Sequence, residues 1–285
     1  MAYTRPRTPG EFGGISLYRP RWCRAAAVVL ALLSAGAAVR GQTPSVPGPR
    51  DLLLVDPAAL AELLEAARPA PLSREDMEAV LRSLPAEGEV ARLGAVAQGK
   101  VDEVRRLLAA TRRDWFEVKV IDLPQAAVAL HARAVVLMSA PAVALLDASE
   151  LQALAAHEIG HEYVWTEWHR ARQDADHERL KELELVCDAI AGVILDGLGM
   201  DPSRLIDALE KVSRFNRKRF GTAIDETSYP TIAERRAFTR QIPVRGARRR
   251  HDHPPQDRRV AHRGGYGGAL VREVDRRRLR WSSRE

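Results

Sequence analysis

The chain has 285 residues, 46% of them apolar, which allows one ample folded core or two small ones. Its net charge of +6 is unevenly spread: Arg245–Glu285 holds thirteen Arg against five acids, Met1–Gly41 six Arg against one acid, and Gln42–Val244 carries −7. The folded body is therefore acidic, which argues against a nucleic-acid-binding domain, and with only Cys23 and Cys187 a cysteine-built metal site is excluded.

Residues 1–41 read as a secretory signal peptide. Arg19, Arg21 and Arg24 precede an apolar run from Ala25 to about Val39, and Ala35-Gly36-Ala37 offers a small-residue cleavage site. The run is shorter than a spanning helix requires, and every later apolar stretch contains charges, so no further membrane span is expected. A periplasmic or extracellular location follows, with an uncleaved N-terminal membrane anchor as the alternative. Because Cys23 lies in this segment, the mature chain keeps one thiol, Cys187.

Residues 42–113 read as a linker followed by a helical segment. Gln42–Arg50 is rich in Pro, Ser and Gly, a flexible composition. Asp56–Ala67, Ser73–Leu84 and Val101–Thr111 carry helical periodicity, with Ser73 as an N-cap. Nothing in them carries chemistry, and they read as scaffold or as a prodomain-like piece.

The texture changes at about residue 114. Phe116–Ile121 alternates and is β-branched, and Ala127–Leu130 and Ala134–Ser139 follow as short strands. Asp147 with Glu150 forms a capping box that opens a long helix to about Arg172. Gln173–Asp176 is a polar turn. A second helix runs from His177 to Leu198 and stops at Gly199. Asp201-Pro202 starts a third, Arg204–Phe220, and Thr231 with Glu234 caps a last one after Tyr229-Pro230. The pattern predicts an α+β, mainly α fold: a small mixed sheet on two long helices, spanning 114–244. Residues 245–285, rich in Arg, Pro and Gly without periodicity, read as a basic disordered tail.

The first long helix contains His157-Glu158-Ile159-Gly160-His161, an H-E-x-x-H motif. Positions four apart return to one helix face, about 40° out of line, so both imidazoles can point at one metal ion. Glu158 lies one step round the turn, placed to act on water beside the metal without ligating it. Two chance solvated histidines are the competing explanation. The elongated metzincin motif is excluded because Val164 and Glu167 stand where it needs Gly and His. His169 reads as surface or packing, Tyr163, Trp165 and Trp168 as packing, and His251 and His253 as poor ligands in the tail.

A catalytic zinc takes three protein ligands and an open position. On the second helix Glu184 and Asp188 are four apart within an apolar stretch, where carboxylates are costly unless partnered. A metal would answer Glu184, and the far nitrogen of a ligating histidine would answer Asp188. The alternative is that both sit on the rim of an amphipathic helix. Cys187 reads as a small buried hydrophobe.

HEIGH on one helix and E-x-x-x-D on the next resemble the gluzincin zinc metallopeptidases. Within them the chain is most similar to the family containing the HtpX heat-shock protease and the prenyl-protein endopeptidases. The resemblance runs from about Val118 to Arg236 and includes the stretch LLDASELQALAAHEIGH, Leu145–His161. It implies one Zn2+ ion ligated by His157, His161 and Glu184, with Glu158 as the catalytic carboxylate and Asp188 behind a ligating ring. The chain departs from the membrane members in lacking spanning helices beyond its N-terminus, so it resembles a soluble, exported branch. Where members carry a His-Pro step followed by an Arg, this chain has Tyr229-Pro230 with Arg235 following. A tyrosine hydroxyl can stabilise an oxyanion as an imidazole can, or Tyr229 can be a plain turn residue.

The expected activity is a zinc-dependent endopeptidase that hydrolyses peptide bonds with metal-activated water and Glu158 as general base. The expected partner is an unfolded or extended protein or peptide, laid along an edge strand near Ala134–Ser139. A zinc-binding envelope adaptor or chaperone-like module with weak or no proteolysis is the alternative, although a pure binding module has no need of a base beside the metal.

Overall fold

The computed structural model describes residues 48–52, 55–84, 88, 92–221 and 227–242. The signal-peptide and tail readings, His251 and His253, and most of the Gln42–Arg50 linker lie outside the described residues. Helices take 65% of the interpretable residues and a single small sheet the strands, so the fold is mainly α and of the α+β class.

Three strands, β1 (Glu117–Ile121), β2 (Val128–His131) and β3 (Val135–Ser139), lie in the order β1-β3-β2. β1 runs parallel to β3 and β2 antiparallel, with Val128 opposite Met138 and Leu130 opposite Val136. The turn joining β2 to β3 places Ala132 and Arg133 at φ of 48° and 57°, a region non-glycine residues seldom adopt. Arg133 helps hold it by donating from Nη2 to the Ala70 carbonyl at 3.1 Å.

All five residues of β3 are buried. Val136 and Met138 face the main core, whereas Val135 and Leu137 are covered by Met77, Val80 and Leu81 of α3 (Arg74–Ser83). Ala134–Ser139 is thus the central strand with partners on both sides, not the free edge expected from sequence. Burial on both faces explains why it reads as a continuous apolar run, a pattern that cannot say which strand is outermost. The edge that remains beside the long helices is β2.

The helices α1 (Pro49–Leu52), α2 (Pro57–Ala66) and α4 (Ala95–Ala110) do not form a separate unit: Leu52, Leu60, Leu64, Val101 and Val104 share one core with the motif helix. The linker reading therefore ends in a short helix at Pro49, and α4 begins a turn and a half before Val101. A further helix, α5 (Ala140–Leu145), has no counterpart in the sequence reading. Ser139 starts it, its Oγ accepting from Ala142 N–H at 3.2 Å and from Ala127 N–H at 2.9 Å.

The long pair is α6 (Ala148–Gln173) and α7 (His177–Gly197). The expected capping box opens α6: Asp147 Oδ1 accepts from Glu150 N–H, and Glu150 Oε2 from Asp147 N–H, each at 2.9 Å. After Ala175 at φ 53°, Asp176 accepts from Arg179 N–H at 3.0 Å and starts α7 folded back on α6. α8 (Ser203–Phe220) and α9 (Ile232–Thr239) complete the fold, Thr231 and Glu234 forming the second capping box. Because α6 is covered on nearly every side, its polar residues need internal partners. On the side away from α7, Arg113 Nε meets Glu162 Oε2 at 2.7 Å, and Arg113 Nη2 donates to the Tyr163 hydroxyl at 2.8 Å.

α6 and α7 touch backbone to side at Gly160. A methyl group there would lie 2.7 Å from Cys187 Cα and 3.0 Å from its carbonyl oxygen, atoms that cannot swing aside. Cys187 is fully buried, as its reading as a small hydrophobe required. Gly160→Ala gains up to about 1 kcal/mol of helix propensity but must force the helices apart. A net loss of about 1–3 kcal/mol is expected, read as a lower urea midpoint at unchanged slope. A midpoint at or above wild type would show that the contact is not tight.

Candidate metal centre

The turn His157–His161 faces α7. His157 Nε2 lies 3.3 Å from Glu184 Oε2, and His161 Nε2 lies 3.6 Å from Glu184 Oε1, so the imidazoles bracket one carboxylate. Their ring centroids are 5.0 Å apart and nearly perpendicular at 82°. One turn further along α7, Asp188 Oδ1 is 2.9 Å from His157 Nδ1, on the far side of that ring. Glu158 turns toward the sheet, where its Oε2 accepts the Leu130 N–H at 2.8 Å. The two histidines and Glu158 also bring one polar atom each within 4.8 Å of one another.

Arg235, on α9, closes the arrangement from behind. Its Nη1 donates to Asp188 Oδ1 at 2.6 Å and its Nη2 to Glu184 Oε2 at 2.9 Å. The sequence reading noted Arg235 only as the arginine following Tyr229-Pro230. The signal that could have assigned it is its place directly after the Thr231–Glu234 capping box, one turn into the helix that the box opens.

Burial sets the titration of the site, and neighbouring charges then divide it. At His157, burial disfavours the imidazolium, but Asp188 and Glu184 outweigh it and lift the group to about 10. At His161 burial prevails over Glu184 and the group falls to about 4. Burial, with Glu184 nearby, raises Glu158 to about 7 against the pull of His157. Glu184 would also be raised by burial, yet His161, His157 and Arg235 hold it well below the usual carboxylate range.

The donor set, two imidazoles and an ionised carboxylate, is one that zinc favours, and a bound ion would displace the proton that His157 otherwise carries. Two ligands about 2.0–2.1 Å from a tetrahedral ion lie roughly 3.3 Å apart, close to the 3.3 and 3.6 Å found between the imidazole nitrogens and Glu184. Asp188 Oδ2 is buried with no hydrogen-bond partner among the described residues, which further favours positive charge nearby. The residues therefore fit a divalent cation.

The site lies on a cavity of about 420 Å³. Its lining includes Ala126–Leu130, and Leu209 and Val212 of α8 and Ile232 of α9 make much of the rest apolar. Trp165 and Trp168, expected only to pack, also line it. Trp168 Nε1 approaches Glu184 Oε1 at 3.4 Å. Tyr163 does not line the cavity, its hydroxyl accepting from Arg113 and donating to the Leu64 carbonyl, and His169 packs its ring 4.4 Å from Trp165. Tyr229 lines the cavity, and no described residue takes its hydroxyl. The residue before it is tied to the start of α7 by a 2.9 Å contact between Ser228 Oγ and His177 Nδ1. Burial, then Glu184, pushes the Tyr229 hydroxyl well above its ordinary range, so it stays protonated.

No family model matches the chain, and no curated protein matches it.

Arg235→Met should take from two buried carboxylates the guanidinium that pairs with both, leaving His157 to face them. We expect a loss of about 3–5 kcal/mol in the metal-free chain and zinc affinity weaker by roughly 10–100-fold. Arg235→Lys should recover part of the stability but not the two-pronged contact. Chemical denaturation and competitive zinc titration check both, and wild-type values for Arg235→Met would remove Arg235 from the site.

Proposed function

We propose that the chain is a zinc-dependent endopeptidase, exported from the cytoplasm, of the gluzincin type. The observation that carries this reading is the convergence of His157, His161 and Glu184 at a cavity whose wall also holds Glu158. His157, His161 and Glu184 would hold the ion, with Asp188 fixing the His157 ring from behind. Bound there, zinc supplies Lewis acidity to a peptide carbonyl and makes water more acidic.

Glu158 is the general base. Burial raises the Glu158 carboxyl above its ordinary range, which strengthens it as a group that must take a proton from water and return it to the leaving amine. The Leu130 N–H steadies one of its oxygens, and among the described residues the other has no hydrogen-bond partner. Tyr229, protonated and facing the cavity, donates to the oxyanion that develops on the substrate carbonyl. The substrate is an extended segment of protein laid along β2, whose outward backbone lines the cavity, in place of the Ala134–Ser139 strand first expected. The apolar walls favour an apolar side chain beside the scissile bond.

Glu158→Gln should retain zinc and lose at least about 10³-fold in cleavage of an unfolded protein. Chelation should abolish cleavage by the parent chain, and added zinc should restore it. A Glu158→Gln form that cleaves like wild type would falsify the mechanism. Tyr229→Phe should lower kcat by about 10²–10³-fold with zinc content intact, whereas full turnover would leave Tyr229 as a turn residue.

A further inference from the structure

A strand edge presents its main-chain groups in alternation, with residues i and i+2 turned to the same side. At the start of β2, Ala127 turns to β3: its carbonyl accepts from Ser139 N–H at 2.9 Å, and its N–H donates to Ser139 Oγ at 2.9 Å. Ala126, Val128 and Leu130 therefore turn outward, along the cavity wall.

Two of these three positions are already engaged. Leu130 N–H is held by Glu158 at 2.8 Å. Ala126 is matched twice: its N–H donates to Asn216 Oδ1 at 2.9 Å, and its carbonyl accepts from Asn216 Nδ2 at 2.9 Å. A primary amide carries the same donor and acceptor as a peptide group. Asn216, projecting from α8, thus stands where a residue of an added strand would stand. Among the described residues, nothing takes the outward groups of Val128. Leu209, Val212 and Asn216 follow one stripe of α8, so the helix that caps the edge also supplies the apolar wall beside Val128.

We propose that Asn216 is a register stop: it occupies the β2 edge at Ala126 and confines a bound extended peptide to main-chain pairing with Val128 alone. This inference rests on the edge-strand binding proposed above. A peptide passing Val128 must leave the sheet edge at Asn216 or displace its amide. Its recognition then depends on one or two apolar side chains entering the cavity and gains little from strand length. The favoured substrates are short extended apolar stretches, where a fully open edge would reward long β-forming segments.

The test uses the full-length Glu158→Gln chain, which retains an acceptor for Leu130 N–H but should not cleave. The probes are fluorescein-labelled peptides of four, six and eight residues with alternating Leu and Ser, followed by anisotropy. With Asn216 present, affinity should level off with length. In Asn216→Ala it should keep rising, by roughly tenfold across the series, as one or two added main-chain hydrogen bonds give. Independently of that variant, an N-methyl scan of the eight-residue peptide on the Asn216 form should find one sensitive amide. Two sensitive amides at alternate positions would overturn the proposal, as would identical length profiles in the two forms. Failure of every peptide to bind would overturn it together with the edge-strand reading, and so is distinguishable from its failing alone.

Discussion

The close approach of α6 and α7 at Gly160 and Cys187 is the constraint on which the site depends. Helices with ordinary side chains between them pack with axes 8–10 Å apart. At Gly160 there is no Cβ, and the backbone of Cys187 fills the space one would need. The donors flank this contact symmetrically. His157 and His161 lie three residues before and one after Gly160, and Glu184 and Asp188 lie three before and one after Cys187. Side chains at those offsets from a contact point face each other across it. The glycine of HEIGH therefore determines whether a short carboxylate can reach the imidazoles, and it accepts the cost of a glycine in mid-helix to do so.

The second constraint is electrostatic. Carboxylates buried in a helix pair are tolerable only with nearby positive charge, and the fold supplies it from outside the pair. Arg113, beyond the end of α4, meets Glu162 on one side of α6, and Arg235, on α9, meets Glu184 and Asp188 on the other. Each arginine is placed by elements remote from the motif. The Thr231–Glu234 capping box fixes the start of α9, and Arg235 follows directly. A local backbone rule at one helix end thereby aims a guanidinium into the centre of the molecule.

Much of this was legible in the sequence because it rests on local rules. The strands, the long helices and both capping boxes follow from periodicity and from side chains that satisfy nearby N–H groups. The facing of His157 with His161, and of Glu184 with Asp188, follows from helical geometry alone. What was not legible depends on contacts between distant segments. Strand order placed β3 in the centre, because burial on both faces and burial in an edge produce similar apolar runs. The pairing of Asn216 with Ala126 spans 90 residues and leaves no trace in spacing. Gly160 did leave one, since a glycine inside a helix that gains nothing from flexibility asks for a packing reason. Only the structure identifies its neighbour as the Cys187 backbone.

The walls of the cavity link two properties that are usually treated apart. Glu158 titrates near 7 chiefly because burial penalises its charged form, and Tyr229 is raised by the same cause. The burial comes from the apolar side chains of α6, α8 and α9 that would receive a substrate side chain. An occupant filling that space removes more water from Glu158 and strengthens every charge interaction around it. The fit of a side chain and the basicity of the carboxylate beside it are therefore coupled. A wall made polar would let water back to Glu158 and relax its carboxyl toward the ordinary range, which on the proposed mechanism would weaken it as a base. Under the proposed reading, selectivity for apolar segments and a raised Glu158 carboxyl would have one physical origin, the apolar side chains that α8 and α9 turn toward the cavity.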